Sequence, residues 1–291
     1  MSTPQFIRPR LRDIGGGFMV RRVLPSLPTQ SVGPFVFFDH FGPITTHPGD
    51  NHDVRPHSHI GLSTVTYLFD GAMLHRDSLG SVQRIEPGAI NWMTAGRGIV
   101  HSERAPEDLR DKTYAMHGLQ LWAALPKAIE ETDPAFFHTP AAALPTSSQR
   151  GVHARVLIGR AFDVVSPVKT YSETLYVDVA AEAESVLVLP RDPAHPRFER
   201  AVYSVDHPIV ADGTDVPPFT MAVLAPGAEA KIVAPNGARY VVIGGEPLDG
   251  HRTVWWNFVS SSKERIERAK ADWQAQRIGK IPGEHEWIPL P

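Results

Sequence analysis

The chain has 291 residues, of which 42% are hydrophobic, so it is long enough for one large or two medium cores. Its formal charge is −3 and its sequence shows no cluster of basic residues, which argues against a protein that binds the phosphate backbone of nucleic acids. Because the chain contains no cysteine, disulfides and thiolate metal sites are excluded, and any metal must bind His, Asp or Glu.

The N-terminal segment MSTPQFIRPRLRD lacks the apolar stretch of a signal peptide. No uninterrupted apolar run approaches the roughly 18 residues of a membrane helix. We therefore expect a cytoplasmic protein without a membrane partner.

Short strand-like runs follow one another along most of the chain. The 27 prolines and 23 glycines are scattered and divide the chain into short segments. Between them lie runs rich in Val, Ile, Tyr, Phe and Thr, such as FVFFD, STVTYLF and ARYVVIGG. This pattern predicts an all-β barrel or sandwich.

The segment RPHSHIGLSTVTYLFDG (55–71) places two histidines at the start of a strand-like run. Residues two apart on a strand point to the same face, so His57 and His59 should project together. Continued alternation predicts that the same face also holds Ser63, Val65, Tyr67 and Phe69.

A second pair follows in TAGRGIVHSERAPED, where His101 and Glu103 are also two apart. Three imidazoles and one carboxylate around a point suit a divalent transition metal, with two positions left for substrate and a small molecule. The alternative is that these histidines are surface or hydrogen-bonded residues, since 14 histidines make one HxH pair unsurprising. The second pair, which includes a glutamate, favours the metal site.

The stretch 125–151 interrupts the strand pattern. It is rich in Pro, Ala and Thr, which predicts a surface linker at 131–150 between two β domains. A faint repeat at a constant offset of 139 residues supports two related halves. This offset aligns Pro87, Gly88, Ala89 and Gly98 with Pro226, Gly227, Ala228 and Gly237, and it places Tyr240 at His101 and Val242 at Glu103.

The C-terminal region predicts a helix over 262–278. Ser261 and Glu264 have the spacing of a capping box. Ile266, Ala269 and Trp273 share one face, which we expect to pack on a barrel wall.

The histidine segments resemble the cupin motifs HxHxxxE and PxGxxH. His57-Ser58-His59 is similar to the first motif, and the segment 96–101 is similar to the second with Gly in place of Pro. The segment 235–240 also resembles the second motif, with Tyr in place of its His. This resemblance implies a degenerate second cupin.

More closely, the chain resembles the pirin family from its first strands to its last helix. The residues that support this are FVFFDHFGP (35–43), HSHIGLSTVTYLFDG (57–71), LHRDSLGS (74–81), NWMTAGRGIVHSE (91–103) and WWNFVSSSKERIE (255–267). The resemblance implies two tandem cupin (jelly-roll) β-barrel domains with a C-terminal helix. Residues 1–130 would form the metal-binding domain and residues 151–291 the degenerate one.

In pirins the metal is iron, and the resemblance assigns its ligands here to His57, His59, His101 and Glu103. Fe²⁺ is the expected ion, with Mn, Ni, Cu and Zn as alternatives. Many cupins and some pirins have a further Glu after HxH, where this chain has Ser63, a poor ligand. His75 and Asp77 resemble a family signature that could line the pocket mouth or form a structural hydrogen bond.

The resemblance implies a quercetin 2,3-dioxygenase-type activity, in which a flavonol-like substrate is opened by O2. The metal would bind the flavonol 3-hydroxyl, and Glu103 would act as catalytic general base. Val65, Tyr67 and Phe69 would supply apolar walls, or simply core packing. The alternative from the same family is a non-enzymatic, iron-dependent regulator that binds a metabolic enzyme or a transcription partner, without direct contact to nucleic acid.

Overall fold

The computed structural model describes residues 4–291, and these residues form strands along nearly the whole chain. The first half contains β1 (Gln5–Ile7), β2 (Arg10–Asp13), β3 (Met19–Leu24), β4 (Phe35–Thr46), β5 (Val54–His59), β6 (Leu62–Asp70), β7 (Met73–Asp77), β8 (Val82–Ile85), β9 (Ile90–Thr94), β10 (Ile99–Arg104), β11 (Tyr114–Ala124) and β12 (Ala135–Thr139).

The second half continues the same pattern up to the C-terminal helix. It contains β13 (Thr146–Gln149), β14 (Val152–Ile158), β15 (Arg160–Ala161), β16 (Val164–Val165), β17 (Thr174–Ala181), β18 (Ser185–Leu189), β19 (Glu199–Ser204), β20 (Ile209–Ala211), β21 (Thr214–Val216), β22 (Met221–Val223), β23 (Ala230–Ala234), β24 (Ala238–Gly245), β25 (Thr253–Trp255), β26 (Phe258–Ser260) and α1 (Lys263–Gln274). Three single-turn 3₁₀ helices lie at Glu107–Leu109, Lys127–Ile129 and Ala141–Ala143. No helix within residues 4–291 is both long and apolar enough to cross a membrane.

The chain divides into two compact units, each discontinuous in sequence. The first unit comprises Leu11–Val20, Asp39–Ala141 and Asp249–Pro291, and it contains all four predicted metal ligands. The second comprises the chain up to Arg10, Arg21–Phe38 and Ala142–Leu248. This division differs from the predicted limits of 1–130 and 151–291, because the C-terminal helix belongs with the first unit.

Both units use the same two-sheet cupin topology. The first has a four-stranded sheet ordered β5-β10-β7-β8. In its seven-stranded sheet the neighbouring strands include β9-β6-β11-β4, in this spatial order. The second has a four-stranded sheet ordered β18-β23-β20-β21, with β22-β19-β24-β17 in its seven-stranded sheet. The expected all-β class with two cupin-type domains is therefore confirmed.

This topology corrects the proposed internal repeat. The position of β10 in its sheet is matched by β23, not by β24, on which Tyr240 lies. The offset of 139 instead superimposes two similar turns, closed by Ala89 N–Glu86 O at 3.1 Å and Ala228 N–Ala225 O at 3.3 Å. These turns precede β9 and β23, which lie in different sheets, so the shared Pro-Gly residues mark similar turns and not equivalent strands.

The true counterparts of the histidine strands are aliphatic. β18 corresponds to β5 and β23 to β10, and their buried side chains include Leu187, Leu189 and Ile232. These three residues belong to the hydrophobic core of the second unit.

The predicted linker contains two strands. β12 pairs with β9 in the first unit, and β13 pairs with β14 in the second. Both are edge strands, and prolines flank β12 at 134 and 140. Proline is tolerated beside an edge strand because an edge needs fewer backbone donors, so a proline-rich composition did not exclude strands here.

The helix α1 ends four residues earlier than predicted, at Gln274. Its N-cap is Ser262 and not Ser261: the Ser262 hydroxyl accepts the backbone N–H of Arg265. Ser261 instead donates its backbone N–H to Glu130. The expected face is buried, in a cluster that includes Ile60, Val100, Phe258, Ile266, Ala269 and Trp273.

Candidate metal centre

Three histidines share one face of two neighbouring antiparallel strands. In the register of β5 and β10, His57 lies opposite His101 and His59 lies opposite Ile99. Directly opposed residues point to the same side, so the pairs predicted from spacing meet on one face. A bulge follows His101, beside Pro56, which has no backbone N–H to offer the ladder.

The three imidazoles converge on a single point. One ligand nitrogen from each of His57, His59 and His101 lies within 4.8 Å of the others, and all three residues are buried. Nε2 of His59 is 3.1 Å from Nε2 of His101. Two nitrogens bound at right angles to one ion, each at about 2.1 Å, would stand about 3.0 Å apart.

Hydrogen bonds from the opposite ring nitrogens orient two of the three lone pairs. Nδ1 of His57 donates to the carbonyl of Arg55 at 2.8 Å, and Nδ1 of His59 donates to the carbonyl of Asn257 at 3.1 Å. A neutral imidazole has one N–H, so each Nε2 is left with a free lone pair. The ring arrangement therefore fits a divalent transition metal.

Burial keeps these rings neutral. It lowers the pKa of His57 from 6.5 to about 4, against the opposing effect of the Arg55 carbonyl. The pKa values of His59 and His101 are also lowered by burial and by the neighbouring histidines. Unprotonated imidazole is the form that binds metal, so the site is ready for a cation at neutral pH.

Glu103 lies two residues after His101 on β10, but its carboxylate oxygens do not join the group of ligand atoms that lie within 4.8 Å of one another. It is buried, and its Oε1 accepts a hydrogen bond from the Thr66 hydroxyl at 3.1 Å. Burial raises the pKa of Glu103, although His75 and Thr66 act in the other direction. A carboxyl group with a raised pKa is suited to proton transfer.

The family of the chain follows from comparison with known proteins. The family model described as Pirin matches residues 17–123, and the Pirin C-terminal cupin domain matches residues 176–279. The chain belongs to the pirin family. A pirin-like protein from Caulobacter vibrioides is 47% identical over 97% of both chains.

One further sequence relative and one solved structure are also similar to this chain. Pirin from Rattus norvegicus is 30% identical, covering 96% of this chain and 93% of the relative. The crystal structure of a quercetin 2,3-dioxygenase from Acinetobacter baumannii superimposes with a TM-score of 0.92, at 36% identity, covering 99% of this chain and 95% of that one.

The structure of this pirin corrects the predicted face of β6. Thr66 contacts Glu103, and Trp122, which lies opposite Thr64, has its ring centroid 5.2 Å from that of His59. The even-numbered residues of β6 therefore face the metal centre. Gly61, with φ +68°, lies between β5 and β6 and resets the alternation.

The odd-numbered residues of β6 consequently lie on the opposite face, and the prediction for Ser63, Val65, Tyr67 and Phe69 is wrong. The hydroxyl of Ser63 is 3.2 Å from that of Thr94, directly across the ladder. Ser63 thus does not occupy the position of a lost ligand.

Two aromatic rings that the sequence did not single out lie near the triad. Trp122 meets His59 at an interplanar angle of 74°. Phe136, on the strand within the predicted linker, stacks on His75 with centroids 4.2 Å apart. The sequence indicated neither residue. Trp122 lies opposite Thr64, on the face of β6 that was predicted to point away from the metal centre, and Phe136 lies in the segment predicted to be a linker.

His75 and Asp77 lie on β7, the other neighbour of β10. His75 Nε2 is 2.9 Å from Asp77 Oδ2, and His75 Nδ1 is 3.4 Å from His101 Nδ1. The predicted structural hydrogen bond is thus present, and His75 also contacts His101, one of the predicted ligands. Burial opposes ionisation of Asp77, but hydrogen bonds from His75 and Ser81 lower its pKa overall.

The opposite face of the ligand strands is held by the C-terminal segment, residues 284–288. Ser102 and Arg104 alternate with the site residues on β10. Ser102 donates to Glu284 at 2.6 Å, and Arg104 Nη2 lies 2.5 Å from the same carboxylate. On β5, the carbonyl of Pro56 accepts the backbone N–H of Ile288 at 2.8 Å.

Proposed function

We propose that this pirin is a metal-dependent dioxygenase of the quercetin 2,3-dioxygenase type, acting on a flavonol-like substrate with O2. The observation that supports it most is the convergence of three neutral imidazoles beside a buried carboxyl group. The likeness to the Acinetobacter baumannii enzyme agrees with this assignment. The cytoplasm stays the predicted location.

We assign the metal to His57, His59 and His101, with Glu103 as the fourth ligand. Fe²⁺ is the ion we favour, and Mn, Ni, Cu and Zn also accept imidazole and carboxylate. When bound, the metal supplies a Lewis acid for the flavonol 3-hydroxyl and a redox-active partner for O2.

The chain's own contribution is proton transfer and orientation. Glu103 accepts the 3-hydroxyl proton at Oε2, the oxygen that it would otherwise offer as a ligand, because Oε1 is held by the Thr66 hydroxyl. The raised pKa of Glu103 makes it a stronger base than an exposed carboxylate once it is ionised. Trp122 supplies an aromatic surface beside His59 for a planar substrate.

The test uses protein loaded with Fe²⁺ under anaerobic conditions and then given quercetin in air. We expect loss of flavonol absorbance with release of CO. Glu103→Gln should abolish turnover and retain most of the iron, since the histidines remain. Glu182→Gln, which changes an exposed carboxylate of the second unit, is the control and should turn over normally.

Turnover by Glu103→Gln at the wild-type rate would reject the role of Glu103. Fully iron-loaded wild-type protein that leaves quercetin and related flavonols unchanged would reject the enzyme. That second outcome would favour the regulatory alternative.

A further inference from the structure

A chain of three buried side chains leads from the metal centre into the neighbouring strand. His101 Nδ1 lies 3.4 Å from His75 Nδ1, and His75 Nε2 lies 2.9 Å from Asp77 Oδ2. All three residues are at most 4% exposed, so no bulk water competes for these nitrogens. The chain starts at the one triad histidine that does not use a backbone carbonyl at Nδ1.

Asp77, the residue farthest from the metal centre, determines which atom donates in each of these hydrogen bonds. Oδ1 of Asp77 accepts the backbone N–H groups of Leu79 and Ser81, at 2.9 and 3.0 Å. The carboxylate can only accept, so Nε2 of His75 donates to Oδ2. When Nε2 carries the single ring proton of His75, Nδ1 of His75 is an acceptor, which makes Nδ1 of His101 the donor and leaves the lone pair on Nε2 of His101.

We propose that Asp77 and His75 are positioning residues that fix the Nδ1–H tautomer of His101 and so set the affinity of the centre for its metal. The inference rests on the metal site of the proposed function, but not on its dioxygenase reaction. His57 and His59 are held by peptide carbonyls, which cannot change their polarity. His101 is held by the side chain of His75, which is held in turn by Asp77, so a substitution at either residue can change the tautomer of His101.

Asp77→Asn should reverse the direction of both hydrogen bonds between Asp77, His75 and His101. The N–H groups of Leu79 and Ser81 keep the amide oxygen at the Oδ1 position, which turns the amide NH2 toward His75. Nε2 of His75 then accepts, Nδ1 of His75 donates, and the proton of His101 moves to Nε2. That nitrogen can no longer bind a metal without a tautomer change.

The first measurement needs no substitution. In metal-free wild-type protein labelled with ¹⁵N-histidine, NMR should show the Nδ1–H tautomer for His101 and the Nε2–H tautomer for His75. The opposite assignment for His101 would overturn the proposal. A misfolded variant cannot obscure this result.

The second measurement is Co²⁺ affinity, determined by competition with a chelator and followed by visible absorption of the bound ion. Loss of an outer partner of a metal-bound histidine typically weakens binding by about 10- to 100-fold, and we expect a weakening in this range for Asp77→Asn. His75→Phe keeps a ring against Phe136 but removes the acceptor, and it should also weaken binding. Asp178→Asn, which removes a buried carboxylate bound to Arg239 in the second unit, is the matched control.

Equal Co²⁺ affinity for Asp77→Asn and Asp178→Asn, both folded, would reject the proposal. A selective loss in Asp77→Asn would support it even if quercetin were not a substrate. Conversely, normal quercetin turnover with unchanged Co²⁺ affinity in Asp77→Asn would reject the positioning role and leave the dioxygenase proposal intact.

Discussion

The hydroxyl group of Thr66 donates a hydrogen bond of 3.1 Å to Oε1 of Glu103. Val65, the preceding residue on the same strand, faces away from the metal centre. The hydrogen bond from Thr66 favours the ionised carboxylate, whereas burial favours the neutral acid. The pH at which Glu103 becomes a base therefore depends on Thr66.

Thr66→Val keeps the shape of the side chain and removes the donor. The pKa of Glu103 should rise further, so the acid limb of the pH–rate profile for quercetin turnover should move to higher pH. Thr66→Ser retains the hydroxyl and should keep the limb close to that of the wild type. An unmoved limb in Thr66→Val would show that the bond does not control this proton.

The triad predicts a strict dependence of metal content on each histidine. Protein purified without chelators or a histidine tag should contain about one metal equivalent per chain, measured by elemental analysis. His101→Ala and His57→Ala should each reduce that content to a small fraction. His153→Ala, an exposed histidine of the second unit, should retain it. Full occupancy in His101→Ala would place the metal elsewhere.

The lowered pKa of His57 predicts how acid affects the metal-free protein. Between pH 6.5 and about 4 the unfolded chain binds a proton at His57 that the folded chain does not bind. The free energy of unfolding should therefore fall as the pH decreases, by about 1.4 kcal/mol per pH unit and about 3 kcal/mol over the window. Above pH 6.5 this contribution is fully present.

Urea unfolding at several pH values checks this slope. His57→Phe is the comparison, because it removes the titrating group from both states. The slope of the variant between pH 6.5 and 4 should be shallower than that of the wild type by about the amount above. Parallel curves for the two proteins would contradict the shift.

Gly61 should be less tolerant of substitution than Gly80, another glycine with positive φ. A Cβ at Gly61 would collide with the backbone carbonyl of Val259, whereas one at Gly80, with φ +90°, would meet nothing within 4 Å. Gly80→Ala should cost about 1 kcal/mol from backbone strain alone. Gly61→Ala should cost clearly more and should also reduce metal content, since Gly61 lies two residues after His59. Similar losses of stability in the two variants, measured by urea unfolding, would argue against the collision.

The sequence predicted which residues share a face because each two-residue pair lies within one strand. His57 and His59 are both on β5, and His101 and Glu103 are both on β10, so the two-residue period held. The same period failed from Ser63 onwards because a glycine in the left-handed region separates β5 from β6. Spacing arguments are therefore sound within a strand and uncertain across its end.

Other parts of the centre could not be read from residue types. The partner of His59 is a backbone carbonyl, that of Asn257, and any residue supplies one. The relation of the two halves was also misassigned, since matching Pro-Gly turns precede strands of different sheets. Sheet order, which identified β23 as the counterpart of β10, depends on pairing between distant segments.

The hydrogen bond from His59 to Asn257 spans 198 residues of sequence, and the C-terminal segment 284–288 closes over the same strands. During synthesis, His59 leaves the ribosome long before Asn257, whose carbonyl orients it, and before the segment that supports its strand. A nascent chain that ends shortly after Glu103 thus has every predicted ligand and lacks the carbonyl of Asn257 that orients His59. The candidate centre, with His59 oriented and its strands supported, is therefore complete only after translation of almost the entire polypeptide.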